Sequence, residues 1–519
     1  MVSAQRGAPE VDAIVVGSGP NGLAAAVTLA RAGLSVRVYE KNASVGGGAA
    51  TAELTLPGFH HDVCSAVHPL ALASEFFQRF GLADRIDLVV PEVSYGHPLP
   101  GGTAGLAYRS LTRTAAELGK DGPAWNRLFA PLVAHADRVA EFTGAQLLRL
   151  PRHPATALRF GLRSLEQGSP LWNLRFSGET APALLTGVSA HTIRALPSIA
   201  TAGAGLTLAT YAHAGGWPIP VGGSGAIVTA LVDDLLAHGG EIVTSTEVRR
   251  LSDLPTARVV MLDLTPRALL RLAEGELPAA YARRLRAFRY GNGVAKVDFA
   301  LSDPVPWRAA GLRAAGTVHV GGTRAQIRRA ENTVARGQHA EEPYVLVSQP
   351  SGIDPSRAPA GRHTLWAYTH VPCGSNIDQT EAIVRQIERF APGFRDTILA
   401  KASRTATELE QHNPNYVSGD ISAGEVSMSQ LLRRPVLSPD PWRTPVAGVY
   451  LCSSSTPPGP GVHGLAGWHA ALSALRHDLG VHTAPGLSPV APRQTDQERT
   501  DRHERTRHEP NQEQETLWP

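Results

Sequence analysis

An α/β fold, with a Rossmann-like dinucleotide-binding domain assembled from separated stretches of chain and an α+β substrate domain beside it, is predicted by three observations. Asp12 to Glu40 reads as strand, glycine turn, helix, strand and acid, the order a dinucleotide site requires. The stretch from about Gly96 to Pro220 is mainly helical and holds no second phosphate motif. Near the other end, a small-residue loop at Ser453 to Gly464 opens another helix and repeats the physical logic of the first turn.

In the first motif, Ala13-Ile14-Val15-Val16 is a continuous apolar run, as expected of a parallel strand buried on both faces. The turn Gly17-Ser18-Gly19-Pro20-Asn21-Gly22 follows. Gly17 permits the tight turn, Gly19 lets backbone approach a diphosphate, and Gly22 lets the helix pack on the strand. The helix from about Pro20 to Ala32 aims its free N–H groups at that diphosphate, and Gly33 stops it. Leu34 to Tyr39 is the second strand. Glu40 at its end can accept both hydroxyls of an adenosine ribose, and its charge disfavours a 2'-phosphate, which leaves FAD or NAD.

Composition sets the limits. A chain of 519 residues, 43% hydrophobic, can bury a large core in two or three lobes. Its net charge of +3 marks no nucleic-acid binder. Cys64, Cys373 and Cys452 stand far apart with no C-x-x-C pair, which argues against disulfides, a metal site and dithiol chemistry. No apolar run reaches the ~20 residues of a membrane span. A cytoplasmic protein is expected, with contact to a membrane surface left open.

Beyond Glu40, Lys41 to Thr51 contains Gly46-Gly47-Gly48, a loop able to fold over a cofactor. Leu54 to Asp62 turns at Pro57-Gly58 and leads to Cys64-Ser65-Ala66-Val67-His68-Pro69, which could line a site. Gly222 to Gly225 opens a helix at Ala226 to His238, then a strand at Glu241 to Val248 returns to the first sheet; lacking a buried strand before it and a third glycine, this is a poor second dinucleotide site. Gly291 to Leu301 alternates as a half-buried strand. Further strands at Thr317 to Val320, Tyr344 to Gln349 and His363 to Thr369, with a helix at Gln379 to Phe390, make a second sheet. From about Ser488 the polar composition predicts a disordered tail.

Val446 to Cys452 reads as a strand and Ala466 to Leu479 as a helix, with Pro458-Gly459-Pro460-Gly461-Val462-His463-Gly464 between them. Together with Pro57-Gly58-Phe59, Asn413-Pro414-Asn415-Tyr416 and Gly419-Asp420, this resembles the FAD-dependent carotenoid and retinoid oxidoreductases, the phytoene desaturase-like family, over most of Val11 to Gly480. The similarity is nearest to the branch that contains pyridine nucleotide-disulfide oxidoreductase domain-containing protein 2. The resemblance implies a glutathione-reductase-type FAD domain in three pieces (1–95, 222–290 and 441–484), a substrate domain in two (96–221 and 291–440) and a tail (485–519). It implies FAD held by Gly17, Ser18, Gly19, Pro20, Asn21 and Gly22 at the diphosphate. Glu40 falls at the ribose, Lys41, Gly47 and Gly48 at the cofactor beyond it, and the Val248 backbone at the adenine. Ser454, Gly461, Val462 and His463 fall near the ribityl chain and flavin. Two departures stand out: many relatives carry Gly-Gly-Arg where this chain has Gly47-Gly48-Ala49, and Gly-Asp where it has Ser453-Ser454.

With FAD bound, the expected chemistry is hydride transfer from an apolar, polyene- or lipid-like substrate to flavin N5, with oxygen or a quinone as acceptor. His68, Tyr416 and His463 are the candidates to polarise substrate or take a proton. Trp217, Trp307, Trp366 and Trp468 either line an apolar channel or belong to the core. A flavin amine or alcohol oxidase and a non-catalytic FAD- or nucleotide-binding regulator are the alternatives.

Overall fold

The computed structural model describes residues 9–489, and the account below concerns the unit Met1–Leu487. Most of the expected tail therefore lies outside the described residues. At the centre of the first sheet is Val11–Val16, pairing parallel with Val36–Tyr39 on one side and Ala257–Leu262 on the other. Glu241–Val243 extends the sheet beyond Val36–Tyr39, and Val449–Leu451 extends it beyond Ala257–Leu262, all parallel. Being central explains the unbroken apolar run: Ala13, Ile14 and Val15 are fully buried between layers.

The helix Pro20–Arg31 lies on this sheet, covered in turn by the helices Gly225–Ala237 and Leu465–His477. Its alanines allow the close fit. A Cβ on Gly467 would stand 1.7 Å from the Asn21 carbonyl oxygen, so the first and last helices of the unit meet backbone to backbone.

Two sequence expectations need correction here. The strand expected at Glu241 to Val248 ends at Val243, after which the chain runs irregularly past Val248. The strand Ala257–Leu262, which the sequence reading passed over, holds an inner position in the sheet.

A second sheet of seven strands runs in the order Ile398–Arg404, Gly293–Leu301, His363–Val371, Val345–Ser348, Ala315–Val320, Val93–Pro98, Ala104–Tyr108. Its pairs are antiparallel except Ala315–Val320 with Val93–Pro98. The segment expected to be mainly helical thus begins with two strands; their Gly, His and Pro residues read as turn chemistry in isolation. Helices follow, among them Pro154–Gln167, Thr180–Ser189 and Ile199–Ala214. Gly293–Leu301 is buried at every residue rather than at alternate ones. Its polar side is sheltered because Lys296 pairs with Asp298, whose other oxygen lies 3.7 Å from His61. Among the described residues no helix is long and apolar enough to cross a membrane.

Candidate functional site

The glycine turn is built as its sequence requires. Gly17 has φ of 98°, and a Cβ on Gly22 would lie 2.2 Å from the Gly17 carbonyl oxygen. Gly19 at the helix N-cap contributes no side chain, so no side-chain group caps the first turn. Glu40 fixes the turn from the end of the second strand: one carboxylate oxygen accepts from the Ser18 N–H (3.0 Å) and hydroxyl (2.6 Å), the other from the Asn42 N–H (2.8 Å). The second glycine cluster folds over the first. Gly46 donates to the Ser18 carbonyl at 3.1 Å, and a Cβ on Gly47 would meet Gly19 Cα at 3.3 Å.

Beneath the turn stands Asp263, at the end of Ala257–Leu262. Its Oδ2 accepts from the Gly22 N–H at 3.0 Å and would lie 2.6 Å from a Cβ on Gly19. Burial pushes its carboxyl up to about 7; nearby Glu40 adds to the rise, and the N–H groups of Gly22 and Gly19 restrain it. Two acids therefore face one turn: Glu40 accepts three hydrogen bonds from Ser18 and Asn42, and Asp263 resists ionisation.

One cavity of about 1060 Å³ joins these parts. At one end are Glu40, Lys41, Glu247 and Val248; it passes Gly17 to Asn21 and Asp263, then Gly47 and Gly48, and reaches Ser454 and Gly461 to His463. Every residue expected at the cofactor lines it except Gly22, whose N–H serves Asp263 and whose bare Cα packs on Gly17. Asn21 presents a buried Oδ1 without a partner, while its Nδ2 donates to the Ser454 hydroxyl at 3.3 Å. That orphaned polar atom, the uncapped helix and the glycine cradle fit a dinucleotide diphosphate. Arg271, which no motif marked, also lines the cavity and brings a positive charge to it.

From there the cavity continues between the second sheet and the helices. Trp217 and Trp366 line it, whereas Trp307 and Trp468 are packed in the cores of the second and first sheets. Its far wall is formed by Phe142, Phe160, Leu162, Leu165, Leu208 and Tyr211. His191 also faces it, hydrogen-bonded at 2.8 Å to His319, a pairing of residues 128 apart that no local pattern signals.

The three catalytic candidates all line the cavity but differ in what they offer. His463 has both ring nitrogens engaged: Nδ1 accepts from the Leu465 N–H at 3.0 Å and Nε2 donates to the Gly459 carbonyl at 3.1 Å. His68 donates from Nε2 to the Ser224 hydroxyl at 2.8 Å, since that hydroxyl itself donates to the Ser65 carbonyl; its buried Nδ1 is left without a partner. Burial lowers both imidazoles to about 4. Tyr416 is held protonated by burial and by neighbouring Cys64, and its hydroxyl would lie 2.2 Å from a Cβ on Gly48. Arg434, fully buried, closes the floor by donating to the carbonyls of Ser422 (2.8 Å), Ala423 (3.2 Å) and Ser454 (2.9 Å). The glycine run at Gly222 to Gly225 is structural: Ser224 N–H donates to Asp62 at 2.8 Å and Gly225 N–H to Thr51 at 3.0 Å.

Residues 15–80 match the model of the NAD(P)-binding Rossmann-like domain. Pyridine nucleotide-disulfide oxidoreductase domain-containing protein 2 of Rattus norvegicus is 26% identical, over 90% of this chain and 94% of its own. The 4,4'-diapolycopen-4-al dehydrogenase of Metabacillus indicus is 30% identical over 23% of this chain and 25% of its own. Among solved structures, a putrescine oxidase shares the fold with a TM-score of 0.59 at 17% identity, over 90% of this chain and 98% of that one. A Rossmann-like sheet whose glycine turn opens into a cavity shared with a second sheet, in a chain with such likenesses, defines an FAD-dependent oxidoreductase.

Proposed function

We propose that this enzyme is a phytoene desaturase-like dehydrogenase, oxidising an apolar polyene- or lipid-like molecule. The observation that carries the reading is the single cavity that leaves the dinucleotide turn and ends among aliphatic and aromatic side chains, where a polar substrate would lose its hydration without replacement partners. The local likeness to a diapolycopenal dehydrogenase supports it. The cofactor domain is of glutathione-reductase type, from 1–95, 222–290 and 441–484, and the substrate domain comprises 96–221 and 291–440. Free Cys64, Cys373 and Cys452 suit a cytoplasmic setting.

The residues divide the work by their chemistry. Glu40 and the turn from Gly17 to Asn21 hold the adenosine diphosphate; Lys41 and Arg271 offset its charge, and Asp263 remains protonated beside it. When bound, FAD supplies the two-electron acceptor, with oxygen or a quinone reoxidising it. Gly461 to His463 and Ser454 seat the flavin end, with His463 fixing the loop through its two backbone bonds. His68 is the proton acceptor: its Nδ1 is free of partners and its low basicity lets the proton pass on. Tyr416, always protonated, orients substrate by donating its hydroxyl.

Anaerobic reduction of the bound flavin by a panel of polyenes, fatty acyl compounds, alcohols and amines tests the reading. Bleaching by the apolar members is expected, slowed by His68→Ala and Tyr416→Phe. A protein that cannot be reconstituted with FAD, or one bleached by amines alone, overturns it.

A further inference from the structure

The cavity reaches the protein surface beside the helix Pro154–Gln167, and that helix is unusual for what it leaves in water. Leu158, Leu162 and Leu165 are 66%, 56% and 50% exposed and, spaced by four and three residues, share one face. All three also line the cavity, as does Ile199 across from them. The opposite face, Thr156, Phe160, Ser164 and Gln167, is buried, so the exposed leucines are not left over from core packing. More exposed leucines flank the helix: Leu148 and Leu150 before it, Leu171 and Leu174 after it. Seven of the fourteen large apolar side chains exposed among the described residues fall within this one segment, far more than scattered surface leucines would give.

Charge accompanies the leucines. Between Leu148 and Arg175 the sequence carries five arginines against a single acid, Glu166, in a protein whose total charge is only +3. Glu166 pairs with Arg163 at 2.8 Å and with Arg175; Glu141, outside the segment, pairs with Arg149 and, at 3.9 Å, with Arg152. Arg159 is exposed beside the leucine face, and Arg152 is 72% exposed at the helix start. A leucine face bordered by cations on long flexible stems is complementary to an anionic lipid surface, into which the leucines insert while the guanidinium groups stay among the headgroups.

We infer that the helix Pro154–Gln167 and its flanking leucines dock this protein on an anionic lipid bilayer, with the cavity mouth opening into the lipid. The inference deepens the reading of an apolar substrate and rests on it for its purpose: a lipid-dissolved molecule enters past Leu158, Leu162 and Leu165 without crossing water. The docking is peripheral, since the helix has 14 residues and lies along the surface instead of spanning.

Sedimentation of the full chain with vesicles tests it, comparing phosphatidylcholine alone with phosphatidylcholine mixed with phosphatidylglycerol. The protein is expected to pellet with the mixed vesicles and to be released as salt rises. Leu158→Ser, Leu162→Ser and Leu165→Ser together should lower partitioning roughly tenfold or more. Arg152→Glu with Arg159→Glu should lower it roughly fivefold per arginine, on the anionic vesicles only. Unchanged guanidinium unfolding midpoints show that the variants are folded. Protein that stays in the supernatant, or variants that pellet like the parent, overturns the inference. So does a dimer that the serine variants convert to monomer while none binds vesicles, which would assign the leucines to a second copy of the chain. Vesicle binding by a protein whose flavin no apolar compound reduces would sustain the docking and sink the substrate reading.

Discussion

Asp263→Asn separates the charge of this buried carboxyl from its shape. In the folded protein the carboxyl titrates at about 7, against 3.8 for an ordinary aspartate, because burial and Glu40 oppose its ionisation. A raised value means that the folded state binds the proton more tightly than the unfolded one. The corresponding stability is fully present below 3.8 and is lost as pH rises through about 7. The three-unit gap is worth about 4 kcal/mol in all, at about 1.4 kcal/mol per pH unit. Asparagine keeps an oxygen for the Gly22 N–H and cannot ionise, so it loses nothing over the same range. Guanidinium unfolding of the cofactor-free protein from pH 5 to pH 8 should therefore show the variant gaining on the parent by about 2 kcal/mol by pH 7. His61 and His68, whose values are lowered to about 3 and about 4, lend stability above pH 6.5 that is lost as pH falls, but equally in both proteins. Parallel stability curves would refute the account, because they would mean that Asp263 is charged in the folded state at no cost. A carboxyl that must stay neutral beside a diphosphate also implies tighter FAD binding by the asparagine variant at pH 8, read from quenching of flavin fluorescence.

Three further outcomes follow from the geometry. Glu40→Ala strips the Ser18 and Asn42 N–H groups of their acceptor and should weaken FAD binding by roughly tenfold to a hundredfold in a fluorescence titration; an unchanged affinity would mean that Glu40 does not shape the turn. Gly48→Ala places a methyl group 2.2 Å from the Tyr416 hydroxyl, so flavin retained after gel filtration should fall; adding Tyr416→Phe should restore part of it, and failure to do so would show that the clash lies elsewhere. Arg434→Met leaves the carbonyls of Ser422, Ala423 and Ser454 without their buried donor and should cost about 3 kcal/mol or more; a guanidinium midpoint within error of the parent's would contradict this.

What could be read from the sequence was what lies close together along it. The strand, turn, helix, strand and acid from Val11 to Glu40 need only local spacing, and the structure joins them through Ser18 and Glu40, 22 residues apart. Asp263 escaped because its partner Gly22 is 241 residues away and its own surroundings, Leu262 and Leu264, carry no motif. Arg271 was hidden the same way: its helix looks like any surface helix until it meets the cavity. The alternation at Gly293 to Leu301 suggested one wet face, but a strand cannot show that its Lys296 and Asp298 will neutralise each other under cover. Val93 to Pro98 was lost among its Gly, His and Pro residues, whose conformation is fixed by pairing with Ala315–Val320 over 200 residues on. The leucines of Pro154–Gln167 show the converse: helical spacing marks an apolar face, and only the fold reveals that it points outward.

The touch between Gly467 and the Asn21 carbonyl bears on how the protein comes to exist. The nucleotide turn is synthesised long before Leu465–His477, a helix that covers its own helix. Until Leu465–His477 arrives, the apolar back of Pro20–Arg31 is covered by Gly225–Ala237 alone, and the strand Val449–Leu451 that completes the sheet is missing as well. A chain interrupted before about residue 450 thus carries the whole glycine signature and exposes an unfinished core, prone to aggregation and a target for chaperones. Cofactor loading, on this topology, is a report that translation has passed Leu465–His477.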